Sequence, residues 1–357
     1  MILSVNPGSS SLKFKLFRHD LVPTKEGSFD IGKNNIKTHR DAVNEMLKKI
    51  SASELADIKQ ICVRIVHGGD LFLGPCLVSS ENLPKIEKYN DLAPLHNPSA
   101  VEVIKILHNK LSKNKLYCIF DTSFFALLPE VGSTYALPYK ICEKEKIRRY
   151  GFHGISHQYV LGKVDPGHKN RLISIHLGAG CSVAAIDRGR PIDTSMGFTP
   201  TEGLVMLTRS GDLDPGLVLY MVKQFGYERA KEIIEKKSGL LGISGMKGGF
   251  LDLIVAAGEK VNDKNYLPDN TFSAENTLRA KLALKVFVSK IKKYIGAYAA
   301  LMGGVDIIAF TGKVGFNSKY LRDASLQGLK FLDVKMIDLV APDEELAMAK
   351  EIITMGL

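Results

Sequence analysis

The sequence predicts an α/β fold built from two similar domains, and three observations lead to that prediction. The chain has 357 residues, which at about 150 residues per domain favours two domains. β-branched apolar runs alternate with helix-like stretches along the chain, as is typical of α/β proteins. A segment at the start of the chain also recurs in its second half at an offset of 170 residues.

The repeat indicates a duplicated hairpin. Residues 2–18 and residues 172–188 each contain a short β-branched run, a glycine turn with small residues and a second apolar run. The coincident residues are Ser4 and Ser174, Gly8 and Gly178, and Arg18 and Arg188. Each copy predicts a strand–turn–strand hairpin near the start of one domain. We expect the join near residues 145–151, with domains at 1–148 and 149–341.

The two glycine turns suit an anionic ligand. Gly8 lets the backbone approach a ligand closely, and Ser9, Ser10 and Ser11 offer hydroxyls and amides. Two such turns facing each other across a cleft between the domains would hold a polyphosphate from both sides. The alternative is that each turn is a solvated hairpin tip.

Polar residues follow the next predicted strands. Strand 61–66 ends at His67, and strand 117–120 ends at Asp121. Strand 307–310 runs into a glycine turn over residues 311–315. Ligands of α/β sheets bind at the carboxyl ends of strands, so these positions and the 178–180 turn are candidate site residues.

One long helix is predicted before strand 307–310. Ser273 is a suitable N-cap residue. The spacing of Leu278, Leu282 and Val286 predicts an apolar face for that helix.

Composition excludes several classes of protein. The net charge of +10 comes with no long basic run and no Trp, which favours an anionic small substrate or a solvated surface over nucleic acid. The five scattered cysteines form no C-x-x-C pair, which argues against a disulfide framework and a thiolate zinc site. We expect no signal peptide and no membrane span, because the long apolar stretch near 294–310 contains glycines and Asp306. The expected location is cytoplasmic.

The remaining polar residues favour phosphoryl transfer. The chain has no P-loop, no G-x-G-x-x-G after the first strand and no nucleophile elbow. His153 and His157 could share a helix face, but the glutamate of H-E-x-x-H is missing, so capping or packing is the alternative to zinc binding. Arg64, Asp121, His153 and Arg209 suit a reaction that requires positioning and charge neutralisation. For Arg64 a structural ion pair is an equal alternative.

Several motifs together resemble the acetate kinase family. Those motifs begin at Asn6 (N-P-G-S-S-S-L-K), Arg64 (R-I-V-H-G-G), Leu92 (L-A-P-L-H-N-P), Phe120 (F-D-T), Tyr150 (Y-G-F-H-G-I-S-H), Asp193 (D-T-S-M-G-F-T-P-T-E-G-L) and Thr208 (T-R-S-G-D-L-D-P). They follow the family's order and span nearly the whole chain. The resemblance implies the duplicated actin-like (ribonuclease H-like) α/β fold, with mixed sheets flanked by helices and a cleft between the domains.

The resemblance also implies roles for individual residues. Asp121, Arg64, His153 and Arg209 would be catalytic, and Asn6 and Glu344 would hold Mg²⁺, which Mn²⁺ could replace. The acetate methyl group would lie among Val66, Leu95, Phe152 and Pro200, with Arg64 at the carboxylate. The nucleotide would contact Ser11, Lys13, His176, Leu177, Gly178, Ala179, Gly180, Lys313, Val314, Gly315, Phe316 and Asn317. The last helix, about residues 342–357, would pack against the first domain.

Departures from the family pattern concentrate on the nucleotide side. Ala179 replaces a usual asparagine, Leu207 a glycine, Lys313 a small residue and Phe316 an acidic one, while residues 249–251 stand where a polar triplet is usual. Phe125 also stands where a histidine is usual.

The resemblance therefore implies an enzyme that transfers a phosphoryl group reversibly between ATP and acetate, giving acetyl phosphate and ADP, and that forms a homodimer. Pyrophosphate as donor, propionate as acceptor, or a catalytically weakened acyl-phosphate-binding relative are the alternatives. The donor, the preferred acyl chain, the physiological direction and the strength of the dimer stay open at this point.

Overall fold

The first strand of the chain lies inside a mixed sheet. The computed structural model describes residues 1–261 and 272–356. In that part of the chain the first sheet consists of β1 (Ile2–Pro7), β2 (Ser11–Phe17), β3 (Pro23–Asp30), β4 (Gln60–Ile65), β5 (Cys76–Leu77) and β6 (Lys115–Phe120). Their order is β3-β2-β1-β4-β6-β5. β1 pairs antiparallel with β2 and parallel with β4, and β4 pairs parallel with β6.

The second sheet repeats this arrangement. It consists of β7 (Arg171–Leu177), β8 (Cys181–Asp187), β9 (Arg190–Thr194), β10 (Ile307–Thr311) and β11 (Met336–Leu339). Its order β9-β8-β7-β10-β11 matches β3-β2-β1-β4-β6 of the first sheet. β7 likewise pairs antiparallel with β8 and parallel with β10. The predicted duplicated α/β fold with two mixed sheets is confirmed.

The two hairpins differ by one residue in register. In the first hairpin Ile2 pairs with Phe17, whereas in the second Leu172 pairs with Ile186 rather than Asp187. The amide of Gly8 donates to the Ser11 carbonyl, and the amide of Gly178 donates to the Gly180 carbonyl. The second turn is therefore tighter, which the constant offset of 170 residues does not reveal.

Helices flank both sheets. They are α1 (His39–Lys49), α2 (Ala52–Asp57), α3 (Asn82–Glu87), α4 (Asn97–Lys110), α5 (Glu130–Ser133), α6 (Tyr139–Glu145), α7 (Gly154–Val164), α8 (Pro215–Phe225), α9 (Tyr227–Lys236), α10 (Gly239–Ser244), α11 (Phe250–Ala256), α12 (Ala274–Leu301), α13 (Gly312–Asn317), α14 (Lys319–Leu326) and α15 (Glu344–Thr354). Short 3-10 segments lie at Asn90–Leu92, Phe124–Leu127 and Lys330–Leu332. Within the described residues no helix is long and apolar enough to cross a membrane.

The chain divides into two compact units. The first contains residues 1–126, residues 152–159 and the chain from Asp343 onward, and the second contains residues 127–151 and 160–342. In the first unit, Met348 and Ile352 of α15 pack against Ile2, Phe17 and Cys62 of the sheet. The opposite face of that sheet is covered by apolar residues of α1 and α4. The domain boundary between residues 148 and 149 stays a prediction.

The long helix of the second unit turns a different face to the core than the sequence predicts. Ser273 caps α12 as expected, and its side chain accepts from the Asn276 amide. However, Leu278 is 71% exposed and Leu282 is 51% exposed. The buried stripe instead consists of Ala280, Ala283, Leu284, Phe287, Ile291 and Ile295. The helix carries two apolar stripes, and periodicity alone does not say which one faces the sheet.

The segment predicted as a turn at residues 311–315 is the start of a helix. α13 begins at Gly312, directly after β10. Gly312 has φ +76°, and a Cβ there would collide with the Leu177 carbonyl. Glycine at this position therefore permits both the left-handed backbone and the close approach to β7.

Candidate active site

Arg64 and Asp121 form a buried ion pair at the carboxyl ends of two adjacent strands. Arg64 lies on β4, and Asp121 directly follows β6, where its amide donates to the Ile65 carbonyl. The Nε and Nη2 atoms of Arg64 lie 3.0 and 2.6 Å from Oδ2 of Asp121. Asp121 is 1% exposed, so burial raises the pKa of its carboxyl while the charge of Arg64 opposes that rise. The structural ion pair weighed for Arg64 thus forms with another predicted site residue.

The pair extends into a network of four side chains. Nη1 of Arg64 donates to Oδ1 of Asn6 at 3.1 Å, and Nδ2 of Asn6 donates to Oε1 of Glu345 at 2.9 Å. We call Asn6, Arg64, Asp121 and Glu345 the Arg64 network. Burial raises the pKa of Glu345, and the neighbouring charge of Glu344 adds to that rise.

The sequence analysis predicts a metal-binding role for Glu344 and misses the neighbouring Glu345. Both residues begin α15, and Glu344 acts electrostatically on Arg64 and Asp121. Successive helical residues point about 100° apart, and the carboxylate of Glu345 is the one that accepts a hydrogen bond from Asn6. The sequence shows two adjacent glutamates but does not show in which direction each side chain points.

The oxygens around the Arg64 network fit a magnesium ion. Mg²⁺ is usually held by one or two carboxylates, with water and substrate phosphates completing its octahedral shell. The amide oxygen of Asn6 and the carboxylates of Glu344, Glu345 and Asp121 supply such ligands. No group of three or more His, Cys, Asp or Glu among the described residues could hold a metal. An ion held here would therefore have to complete its shell with water or substrate oxygens.

Lys13 lies on the same strand face as Asn6. The two residues are direct partners in the antiparallel β1–β2 ladder, and paired residues project to the same side of a sheet. Lys13 is exposed and electrostatically favours the charged form of Glu345. Ser11 closes the turn that precedes it. The first hairpin thus presents a cation beside the Arg64 network.

The backbone at His153 lies close to the backbone of Asp121. The amide of Gly154 donates to the Asp121 carbonyl at 2.7 Å, and a Cβ on Gly154 would collide with that carbonyl. His153 has φ +91°, a strained backbone that non-glycine residues adopt mostly at functional sites. His153 directly precedes α7, where its carbonyl accepts from the His157 amide at 2.9 Å, and the fully buried His157 packs near Phe125.

One of the predicted apolar walls in the first unit contacts a histidine. Val66 is 5% exposed and Phe152 is fully buried. The ring of His67 lies edge-on to Phe152, with the ring centroids 5.2 Å apart. Leu95 lies in the half-buried segment before α4. The Phe152 wall therefore rests on His67, which the sequence suggested only as a strand end.

The second unit contains a cavity of about 1060 Å³. Five residues predicted to bind nucleotide line it: Gly178, Ala179, Lys313, Val314 and Asn317. Other lining residues come from β-turn, helix and loop segments and include Leu207, Gly249, Asp252, Lys260 and Tyr320. Leu177 and Gly315 instead pack against each other behind the turn. His176 is 8% exposed at the end of β7, and Gly180 and Phe316 lie in the adjoining turn and helix.

The substituted nucleotide side is open rather than filled. Leu207 and Lys313 line the cavity without closing it. Phe250 is only 5% exposed, and its ring packs against Phe287 at 5.4 Å between centroids. The bulk of Phe250 therefore belongs to the core of the second unit, although some of its atoms reach the cavity.

Arg209 is held by the segment that contains Pro200. Its Nη1 donates to the Pro200 carbonyl at 3.2 Å. That segment is fixed by Arg149, which donates to the carbonyls of Thr194 at 3.0 Å and Met196 at 3.2 Å. Sequence reasoning missed Arg149, whose contacts lie more than forty residues away along the chain.

A partly buried carboxylate completes the support of this segment. Nη2 of Arg149 lies 2.6 Å from Oε1 of Glu202. Oε2 of Glu202 accepts from the hydroxyl of Tyr135, whose oxygen accepts in turn from the Phe198 amide. Burial works against the charge of Arg149, but Glu202 outweighs burial and raises the pKa of the guanidinium.

Comparison with known proteins gives one consistent family. The Acetokinase family profile matches residues 22–353. The acetate kinase of Bacillus mycoides (strain KBAB4) is 39% identical, and the alignment covers 99% of this chain and 98% of that protein. The crystal structure of Porphyromonas gingivalis acetate kinase is similar with a TM-score of 0.84 and 32% identity, covering 100% of this chain and 99% of that chain. A propionate kinase structure from Francisella tularensis subsp. tularensis SCHU S4 gives a TM-score of 0.86 and 32% identity, covering 98% of each chain.

Proposed function

This chain belongs to the acetokinase family, and on that premise we propose that it transfers a phosphoryl group reversibly from ATP to acetate, giving acetyl phosphate and ADP. It is a phosphotransferase with a carboxyl group as acceptor. The observation that supports the acceptor side best is the fixed Arg64 guanidinium, bonded twice to buried Asp121 and once to Asn6. A catalytically weakened sensor or an unusual donor is not needed to account for these features.

The reaction joins two anions, so charge neutralisation dominates its barrier. A carboxylate oxygen attacks the γ-phosphorus of ATP, one P–O bond forms, and the P–O bond to ADP breaks. Arg64 and Arg209 offset the repulsion between carboxylate and phosphoryl group without changing their own protonation. Asp121 holds the Arg64 guanidinium in one orientation, so little reorganisation is needed at the moment of transfer.

His153 and Lys13 would serve the phosphoryl oxygens. We propose that the His153 ring donates a hydrogen bond to the transferring group, supported by its position beside Asp121 and its strained backbone. Lys13, exposed and paired with Asn6, would neutralise donor phosphate charge together with the Ser11 turn.

Mg²⁺ would be held by Asn6 and Glu344, with Glu345 and Asp121 as neighbouring carboxylates. When bound, the ion would neutralise charge on the donor phosphates. Mn²⁺, which takes the same oxygen ligands, would substitute for it.

The donor is proposed to be ATP, bound in the cavity of the second unit. A volume of about 1060 Å³ is at the upper end of ordinary ligand pockets, about 300–1,000 Å³, and exceeds what pyrophosphate needs. His176, Leu177, Gly178, Ala179 and Gly180 would form the phosphate turn. Lys313, Val314, Gly315, Phe316 and Asn317 would lie on the nucleoside side.

The acceptor is proposed to be a short carboxylate. Val66 and Phe152 are buried apolar residues and Leu95 is a half-buried one, and a small apolar site among them would favour acetate over longer acids. Pro200 is proposed as a further wall.

The homodimer and the cytoplasmic location stay proposals. Support for the dimer comes from apolar residues exposed on α8, where Leu217, Leu219 and Tyr220 are 44%, 71% and 58% exposed. Such a patch favours contact with a second copy. Sedimentation of wild type and Leu219→Asp would test it, and a wild type that stays monomeric at micromolar concentration would refute it.

The deciding experiment for function is a donor–acceptor matrix. Purified protein with Mg²⁺ should form acetyl phosphate, trapped as the hydroxamate, from acetate with ATP. GTP, pyrophosphate, propionate and butyrate provide the comparison reactions. Pyrophosphate turnover without ATP turnover would overturn the proposed donor, and no turnover with any carboxylate would overturn the proposed function.

A further inference from the structure

We propose that Asn97 is a positioning residue that fixes the acyl pocket of the first unit and thereby sets the length of carboxylate the enzyme accepts. The inference rests on the proposed function, because it concerns the acceptor side of the same reaction.

The side-chain amide of Asn97 hydrogen-bonds both the backbone amide and the backbone carbonyl of His67. It is the first residue of α4 and is fully buried. Its Oδ1 accepts from the His67 amide at 3.0 Å, and its Nδ2 donates to the His67 carbonyl at 3.0 Å. Nδ2 also donates to the Tyr89 carbonyl at 3.3 Å. The Asn97 side chain thus hydrogen-bonds the His67 backbone in the way that a neighbouring strand would. These hydrogen bonds fix the His67 peptide in place.

These bonds join the segments that carry two predicted pocket walls. Val66 directly precedes His67, and Leu95 lies two residues before Asn97. The Asn97 amide therefore sets the separation between the Val66 and Leu95 segments.

The His67 side chain connects the third wall to the same point. Its Nδ1 accepts from the Gly69 amide at 3.0 Å, which fixes the ring. The ring stacks on Tyr89 and meets Phe152 edge-on, with centroid distances of 6.0 and 5.2 Å. A shift of the His67 peptide would therefore move the support of Phe152 as well.

The same loop is tied to the reacting end of the site. The Gly68 amide donates to Oγ1 of Thr122 at 3.1 Å, and Thr122 follows Asp121. The loop after β4 is thus anchored by Thr122 at one side and by Asn97 at the other. Loss of the Asn97 hydrogen bonds would release only one side of this loop, the side that faces Leu95.

A fixed wall discriminates against a longer acid more strongly than a yielding wall. An apolar pocket excludes an extra methylene only while its walls cannot move apart. Removing the Asn97 bonds would let the Val66 and Leu95 segments separate. Propionate and butyrate should then be accepted more readily relative to acetate, with little change on the nucleotide side.

The test compares Asn97→Ala and Asn97→Asp with wild type. The aspartate variant keeps the shape and the acceptor for the His67 amide but loses both donated bonds, so it remains informative if the alanine variant folds poorly. We expect the propionate-to-acetate and butyrate-to-acetate ratios of kcat/KM to rise at least threefold, KM for acetate to rise and KM for ATP to stay within twofold. The matched control is Asn114→Ala, which also removes a side-chain bond to backbone, from Nδ2 to the Ile58 carbonyl.

Three failures of this test can be told apart. If a folded Asn97→Asp enzyme keeps the wild-type selectivity ratios, Asn97 is merely structural and the inference is wrong. If Asn114→Ala shifts the ratios equally, the effect is general loosening and the inference is again wrong. If wild type phosphorylates no carboxylate, the proposed function itself fails, and this inference falls with it.

Discussion

The Nη2 atom of Arg64 lies 2.6 Å from Oδ2 of Asp121, and the Nε atom of Arg64 shares the same oxygen at 3.0 Å. Only a few per cent of the Asp121 side chain is exposed, so neither residue can be changed without affecting the other. The pair therefore couples the proposed acceptor site to the stability of the first unit.

Replacing Arg64 or Arg209 with Ala should lower turnover at least a hundredfold. One lost charge-stabilising donor typically costs about 10²–10³ in kcat. Lysine should restore only part of the activity, because a point charge does not reproduce the guanidinium fork. Steady-state kinetics would check this, with Arg18→Ala as control because Arg18 also pairs with a carboxylate but lies at the surface. Either alanine variant retaining half of wild-type turnover would place that arginine outside the reacting centre.

Asp121→Asn should abolish activity and also destabilise the protein. A carboxylate that only faced phosphates could be neutralised without loss of stability, but the ion pair with Arg64 gives Asp121 a structural role as well. Removing one partner leaves Arg64 buried without its counter-charge, which costs on the order of 3 kcal/mol. Urea unfolding should show a lower midpoint. An unchanged midpoint would mean that water or Asn6 and Glu345 already compensate Arg64.

Glu202→Gln should weaken both stability and turnover through the 194–203 segment. The substitution removes the counter-charge of the partly buried Arg149 and loosens the support of Pro200, whose carbonyl binds Arg209. We expect kcat to fall about tenfold, as one hydrogen bond near 1.4 kcal/mol is weakened at the site. Glu143→Gln, at an exposed position on α6, removes the same charge and should change neither quantity. Equal effects of the two variants would refute a positioning role for Glu202.

Lys313→Gly should leave ATP as the donor and change its affinity. Lys313 is exposed at the rim of a cavity that already has room for a nucleoside, so its ammonium can reach a phosphate or extend into solvent. KM for ATP should rise severalfold if Lys313 contacts a phosphate. Titrations with ATP, GTP and pyrophosphate check this, and a variant that gains ATP use over wild type would show that Lys313 blocks the base.

Glu351 should make stability depend on pH near neutrality. Burial on α15 raises the pKa of this carboxyl from 4.5 to about 7, so the folded state binds a proton more tightly than the unfolded state. Its stabilising contribution is therefore complete below about pH 4.5 and is lost as the pH rises through 7. Glu351→Gln should remove about 2–3 kcal/mol of that pH dependence. Urea unfolding of both proteins from pH 5 to pH 8 measures the difference, and parallel curves would contradict the prediction.

Local pattern determined the fold class and the position of most site residues along the chain. The alternation of β-branched runs with helix-like stretches and the glycine turns are properties of short segments. The sequence therefore predicts both hairpins, the Ser273 cap and the strand end at Asp121. The resemblance carried by the motifs gave the family, because those motifs keep their order over nearly the whole chain.

Tertiary structure alone decided which side chains meet. Asn6 and Glu345 are 339 residues apart, and Arg149 reaches Glu202 across 53 residues. No local pattern encodes such contacts, because packing of sheet and helix sets the direction of each side chain. The same reason explains why Glu345 rather than Glu344 faces Asn6, why α12 buries Leu284 rather than Leu282, and why Asn97 holds His67. Spacing along the chain defines the possible faces of an element, and only the neighbouring elements select the face that is buried.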